Sequence, residues 1–197
     1  MPALADQYQF TIDHCTGGCG TAPFGTIDVT QNGANTVNIA VSLIPGDGFV
    51  STGFPGSFAF DIIGNPTIAV SNLTGGWSLV SPTAGALHFD GFGKLDYALA
   101  CIICGNGSGS PFSGPLSFDV TATGLTPASF QELSHLPPGS AQTYFVADIL
   151  GSTGNTGPVG ATVSQTQTSA TPEPSSLLLL GTGAGLLGFS CFRRRKA

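Results

Sequence analysis

The residues able to do chemistry are few, and they come in pairs. Cys15 and Cys19 stand in CTGGC, Cys101 and Cys104 in CIIC, and a fifth cysteine, Cys191, lies near the C-terminus. His88 and Asp90 are two apart in ALHFD, a spacing that puts both on one face of a strand, as a metal-ligand or acid–base pair requires. Asp90 and Asp96 flank a Gly-rich turn that could contribute to calcium binding, although EF-hand spacing is absent. No G-x-S-x-G, H-E-x-x-H or paired-cation site occurs. No catalytic residue, cofactor-binding residue or resident metal is therefore expected, and the chain reads as a protein that is not an enzyme.

The cysteines leave two chemistries open. C-x3-C and C-x2-C could together hold one tetrahedral zinc, across a gap of 81 residues. Alternatively, four cysteines form two disulfides, in one of three pairings. Gly17 and Gly18 let the first pair close a tight loop. A fully extended CIIC would hold its outer Cα atoms about 10 Å apart, too far for a bridge. Cys101 and Cys104 must then bridge across a turn or reach the N-terminal pair. A thioredoxin-like role needs CIIC at a helix N-terminus, and no helix is signalled there.

The elements that must position these residues are short strands. YQFTID, GTIDVTQ, NTVNIAVSLI, SFAFDII, TIAVS, WSLV, ALHFD, KLDYALA, PLSFDVTAT, TYFVADIL and GATVSQ alternate or are β-branched, and Gly, Pro and Asn break them at short intervals. Asn32-Gly33 marks a hairpin. Thr126 and Pro127 can cap and open one helical turn. The pattern predicts an all-β fold, an antiparallel β-sandwich of jelly-roll or immunoglobulin-like kind, spanning residues 6–163. Within it, FAFDII, LSFDV and YFVADI each end an aromatic run in Asp and a β-branched residue, a shared strand-end chemistry rather than a repeat.

Charge is scarce and lopsided. Only 8% of the 197 residues are charged, against about 25% in an ordinary domain. Four of the five cations are Arg193, Arg194, Arg195 and Lys196, which leaves Lys94 alone against every carboxylate but Glu173. A domain without Arg and with one Lys lacks the groups that hold phosphates, so nucleic acid is excluded as a partner. Planar rings could instead hold sugars, with Trp77, Tyr8, Tyr97 and Tyr144 as candidates for an exposed platform.

The two ends differ from this domain. Ala3-Leu4-Ala5 is a small-x-small triplet of the kind signal peptidases cut after, so residues 1–5 read as the remnant of a leader. Residues 164–171 are small and polar and read as a flexible linker. From Ser175 to Phe192 run eighteen residues without a charge, about 27 Å as a helix. That length crosses a bilayer core, and the four cations that follow stop transfer and stay on the cytoplasmic side.

Pro172, Glu173 and Pro174, then an apolar helix, then a basic stop at Arg193–Lys196: this order resembles the PEP-CTERM sorting domain of exopolysaccharide-associated exported bacterial proteins. It covers residues 172–197. The resemblance implies recognition by an exosortase, a membrane-embedded cysteine transpeptidase, with cleavage near Pro172–Pro174. The chain would pass through the inner membrane and end at the cell surface or outside the cell. Pro172, Glu173 and Pro174 would be substrate, not catalyst. In an oxidising compartment, Cys15, Cys19, Cys101 and Cys104 would be disulfide-bonded. The expected role is structural, in the surface or exopolysaccharide matrix. The alternative is a carbohydrate-binding module, and the expected partners are an exosortase, the bacterial membrane and exopolysaccharide.

Overall fold

The computed structural model describes residues 4–52, 56–136 and 140–168. The expected transmembrane helix, the sorting motif and the basic stop lie outside them. Thirteen strands follow in chain order: β1 Leu4–Asp13, β2 Gly25–Gln31, β3 Thr36–Leu43, β4 Gly48–Phe49, β5 Phe58–Phe60, β6 Ala69–Ser71 and β7 Trp77–Leu79. Then come β8 Leu87–Phe89, β9 Gly93–Leu95, β10 Tyr97–Cys101, β11 Leu116–Thr121, β12 Phe145–Leu150 and β13 Thr156–Thr168. A single 3-10 turn, Pro127–Phe130, stands where Thr126 and Pro127 predict it, and Thr126 N–H donates to Ser129 Oγ at 3.2 Å.

All named strand pairs are antiparallel, as expected, but the sheet is continuous. Its hydrogen-bonded order is β6-β11-β3-β2-β1-β13-β12-β5-β10-β7, with β4 beside β12. A sandwich would break this path into two sheets; here the path is unbroken and curls until its halves face each other. Phe118 of β11 meets Phe58 and Phe60 of β5 at ring-centroid distances of 6.0 and 5.9 Å, although five strands lie between β11 and β5. The two outermost strands, β6 and β7, are consecutive in the chain and only five residues apart, so the connection itself draws the sheet edges together.

Alternation sets what lies inside. β2 and β3 bury Ile27, Val29, Val37, Ile39 and Val41 and turn the intervening residues outward. The hairpin between them forms at Asn32-Gly33, with Gly33 at φ +120°. β5, β10 and β12 are buried on both faces. Phe58, Phe60, Tyr97, Leu99, Phe145 and Ala147 enter the main core, while Ala59, Ala98 and Val146 face the other way. The separate β8-β9 hairpin covers that second face with Phe89, Phe92 and Leu95. Close approach requires small residues beneath: a Cβ on Gly160 would lie 2.3 Å from the Phe92 ring.

The boundaries differ from those expected at both ends. Leu4 and Ala5, read as the end of a leader, are the first residues of β1. Residues 164–168, read as linker, are the last of β13, and Gln165–Thr168 pair with Leu4–Gln7. Their Gln/Thr composition is too polar for a core but suits a strand whose backbone is held by a neighbour. KLDYALA, read as one strand, is two, β9 and β10, parted at Asp96.

Candidate functional site

The cysteines settle locally. Cys15 bonds Cys19 and Cys101 bonds Cys104, with Cα atoms 5.5 and 5.3 Å apart. CIIC is therefore a turn at the end of β10 rather than an extended segment, and neither pair reaches the other. The four-cysteine zinc site is not assembled. Asp13, Cys15 and Cys19 do converge, but the Asp13 carboxylate is already occupied. It accepts Cys15 N–H at 2.8 Å and Cys19 N–H at 2.9 Å, holding the disulfide loop by its backbone.

His88 and Asp90 meet as their spacing predicts, with Nδ1 and Oδ1 3.7 Å apart, but the side chains are 56% and 93% exposed. Asp90 and Asp96 do not share a site. Asp96 lies between β9 and β10 and is buried, with its Oδ2 3.7 Å from His135 Nε2. With its amide oriented to satisfy both partners, Asn65 donates to the same oxygen at 2.8 Å.

Beside His88 and Asp90 lies a polar groove of about 510 Å³, lined by His14, Thr16, Thr52, Asp90, Ser108 and Asn155 among others. Thr52 and Asp90 also line a smaller hollow, with His88 and Asp148. Asp148 is buried and accepts both the backbone N–H (2.7 Å) and the hydroxyl of Thr52. His14 stands edge-on to Phe92, with ring centroids 4.7 Å apart, over Gly91. The groove therefore offers imidazole, carboxylate, hydroxyl and amide groups, which can hydrogen-bond a polar ligand.

The candidate sugar platform is not at the surface. Tyr8, Tyr97 and Trp77 are buried, and Tyr144 is half-buried, with its ring centroid 5.5 Å from that of Tyr8. Burial and the nearby Asp6 raise the Tyr8 hydroxyl pKa well above its ordinary range. Burial, with Asp96 and Asp61 nearby, pushes Tyr97 up to about 12. Neither ring presents a face to solvent.

Sequence reasoning missed a set of buried carboxylates, Asp61, Asp119 and Asp148, although it noticed the signal. They are the aspartates of the three echoing segments FAFDII, LSFDV and YFVADI, and all three are buried. Each is handled differently. Asp148 takes Thr52. Asp119 accepts from the Asn38, Asn72 and Asn32 side-chain amides at 2.8, 2.7 and 3.2 Å. Burial pushes its pKa up, but the three donors together outweigh it and the net shift is downward. Asp61 has one backbone donor, and burial pushes its pKa up to about 7.

The comparisons with known proteins bear on the C-terminus. Residues 170–196 match the PEP-CTERM protein-sorting motif. The PEP-CTERM signal marks the chain as an exported protein that passes through a membrane during sorting and is processed by an exosortase. It contains Pro172–Pro174 and Arg193–Lys196, the residues that carried the resemblance. Among the described residues no helix is long and apolar enough to cross a membrane. No curated protein and no solved structure matches the chain.

Proposed function

We propose that this exported protein is a non-catalytic structural component of the cell surface or exopolysaccharide matrix, anchored by its C-terminal segment and then released from it by an exosortase. The observation that carries the reading is the PEP-CTERM motif at residues 170–196. The domain in front of it suits the role. Its aromatic mass is spent on the core, two short-range disulfides suit an oxidising compartment, and a nearly uncharged surface rich in Thr, Ser, Asn and Gly resists little that it meets.

A carbohydrate-binding module is the second reading, and the polar groove around His14, Asp90 and Asn155 supports it. Binding there would rest on hydrogen bonds to hydroxyl groups, without a stacking ring. Glycan-array binding is expected to be absent or weak; a tight, selective hit lost in Asn155→Ala would favour the module.

Mass spectrometry of the native C-terminus, with fractionation of the host cells, tests the main reading. The chain should end near Pro172–Pro174 and partition with surface or matrix material. An intact Arg193–Lys196 tail would mean lasting anchorage and overturn the release step.

A further inference from the structure

Two Asn-Gly pairs occur in the chain, Asn32-Gly33 and Asn106-Gly107, and the fold treats them differently. Asparagine before glycine readily loses its side-chain amide, because a residue without a side chain leaves its backbone nitrogen open to the asparagine Cγ. To react, the asparagine must turn Cγ toward that nitrogen and give up whatever its side chain holds. Asn32 is pinned. Its Nδ2 donates to the Asp119 carboxylate at 3.2 Å, its backbone N–H donates to the Thr36 carbonyl at 2.8 Å, and the Gly33 carbonyl accepts Gln31 Nε2 at 2.6 Å.

Asn106 is under no such restraint. It is exposed, and its side chain makes no hydrogen bond among the described residues. It stands in a loop of small residues, closed where Gly105 N–H donates to the Ser110 carbonyl at 2.9 Å. Its strand-like pairing is one isolated bridge to Ser51. A Cβ on Gly107 would meet nothing within 4 Å, so there is room for a ring to close there. Gly107 and Ser108, the next two residues, line the polar groove together with His14, Asp90 and Asn155.

We propose that Asn106 is a modification site: it deamidates spontaneously in the folded domain, and the product changes the charge of the groove. The Gly107 backbone nitrogen gives its proton to solvent base and attacks Asn106 Cγ. The N–Cγ bond forms, the Cγ–Nδ2 bond breaks, and Nδ2 leaves as ammonia with a proton returned from solvent. Water then opens the cyclic imide at either carbonyl, restores the backbone N–H and leaves an aspartyl or isoaspartyl residue. Water is the one co-reactant, and nothing is oxidised or reduced. Each event sets a carboxylate where a neutral amide stood, beside a groove whose described lining holds Asp90 and neither Lys nor Arg. The modified groove therefore takes anionic ligands less readily. The isoaspartyl form also adds one carbon to the backbone just ahead of Gly107 and Ser108. The chemistry depends neither on what the groove binds nor on the matrix reading.

Peptide mapping by mass spectrometry, over a time course of the full-length protein in non-ionic detergent and mildly alkaline buffer, tests the proposal. Both Asn-Gly pairs are followed in the same sample, so the comparison needs no variant. Asn106 should convert about tenfold or more faster than Asn32, which must first break a hydrogen bond to a carboxylate. In urea strong enough to unfold the domain, the two rates should converge. Gly107→Ala should slow Asn106 and leave Asn32 unchanged, with circular dichroism to check that the variant is folded. Equal rates in the folded protein, or conversion at Asn32 ahead of Asn106, overturn the proposal. So does an Asn106 that stays intact through prolonged incubation, or one that the host has capped with a glycan at Asn106-Gly107-Ser108. None of these results bears on the matrix reading, which fractionation judges.

Discussion

Asp61 accepts the backbone N–H of Asp96 at 2.5 Å through Oδ1, while its Oδ2 is buried with no hydrogen-bond partner among the described residues. Four titratable groups face it: Asp96, Glu132, His135 and Tyr97. Burial is the main reason its pKa rises to about 7; the Asp96 N–H pulls the other way, and the Asp96 and Glu132 charges add to the rise.

The folded state thus holds this proton more tightly than the unfolded chain. The stabilisation is complete below the ordinary aspartate pKa, near pH 4. It falls as pH rises from there to about 7 and is flat above, a loss on the order of 3–4 kcal/mol. Asp61→Asn should abolish this slope and be more stable than the wild type at pH 8. Urea midpoints between pH 4 and 8 check it; parallel curves for the two proteins would refute it.

Asp119 behaves in the opposite sense. Its carboxylate is held below the usual pKa, so its contribution is present at neutral pH and lost as pH falls into the acid range. Asp119→Ala would leave the Asn32, Asn38 and Asn72 amides without their acceptor, at a cost of about 3 kcal/mol. A double-mutant cycle with Asn38→Ala should show coupling of about 1 kcal/mol or more; additive losses would mean that the amides find other partners.

The two disulfides close loops of only a few residues. Each should contribute about 2 kcal/mol, and the domain should remain folded when they are reduced. Peptide mapping of the unreduced protein should recover Cys15 linked to Cys19 and Cys101 to Cys104. A Cys19 to Cys101 crosslink would contradict the fold at both sites.

Gly160 tests the cover over the second face. Gly160→Ala would place a Cβ against Phe92 and Thr143 Oγ1, at 2.3 and 2.9 Å, and should cost about 1–3 kcal/mol. Phe92→Leu should recover part of that loss when combined with it. If the double variant loses the sum of the two single effects, the steric account is wrong.

How much was legible depended on how local the cause was. GTIDVTQ coincides with β2 and Pro127 opens the 3-10 turn, because alternation and capping act over a few residues. His88 and Asp90 meet for the same reason. The separation of Asp90 from Asp96 was not legible: they are six positions apart, and only the inward turn of Asp96 between β9 and β10 sends it to Asn65 and His135. Nor could composition tell strand from linker at residues 164–168. A polar segment gains no order from its own side chains, and β1 supplies the pairing from the far end of the chain.

The sequence by itself determined that the chain is exported and sorted, and the class of the fold. A sorting signal is read as a linear string, and period-two alternation follows from the geometry of one strand. Only the tertiary structure decided that eleven strands form one curled sheet, that Tyr8, Trp77 and Tyr97 are buried rather than displayed, and that each cysteine pair closes on itself. It also decided that the three echoing aspartates enter the interior. These outcomes depend on which distant backbone meets which, and pairing between β1 and β13 or contact between Phe60 and Phe118 leaves no mark on either segment alone.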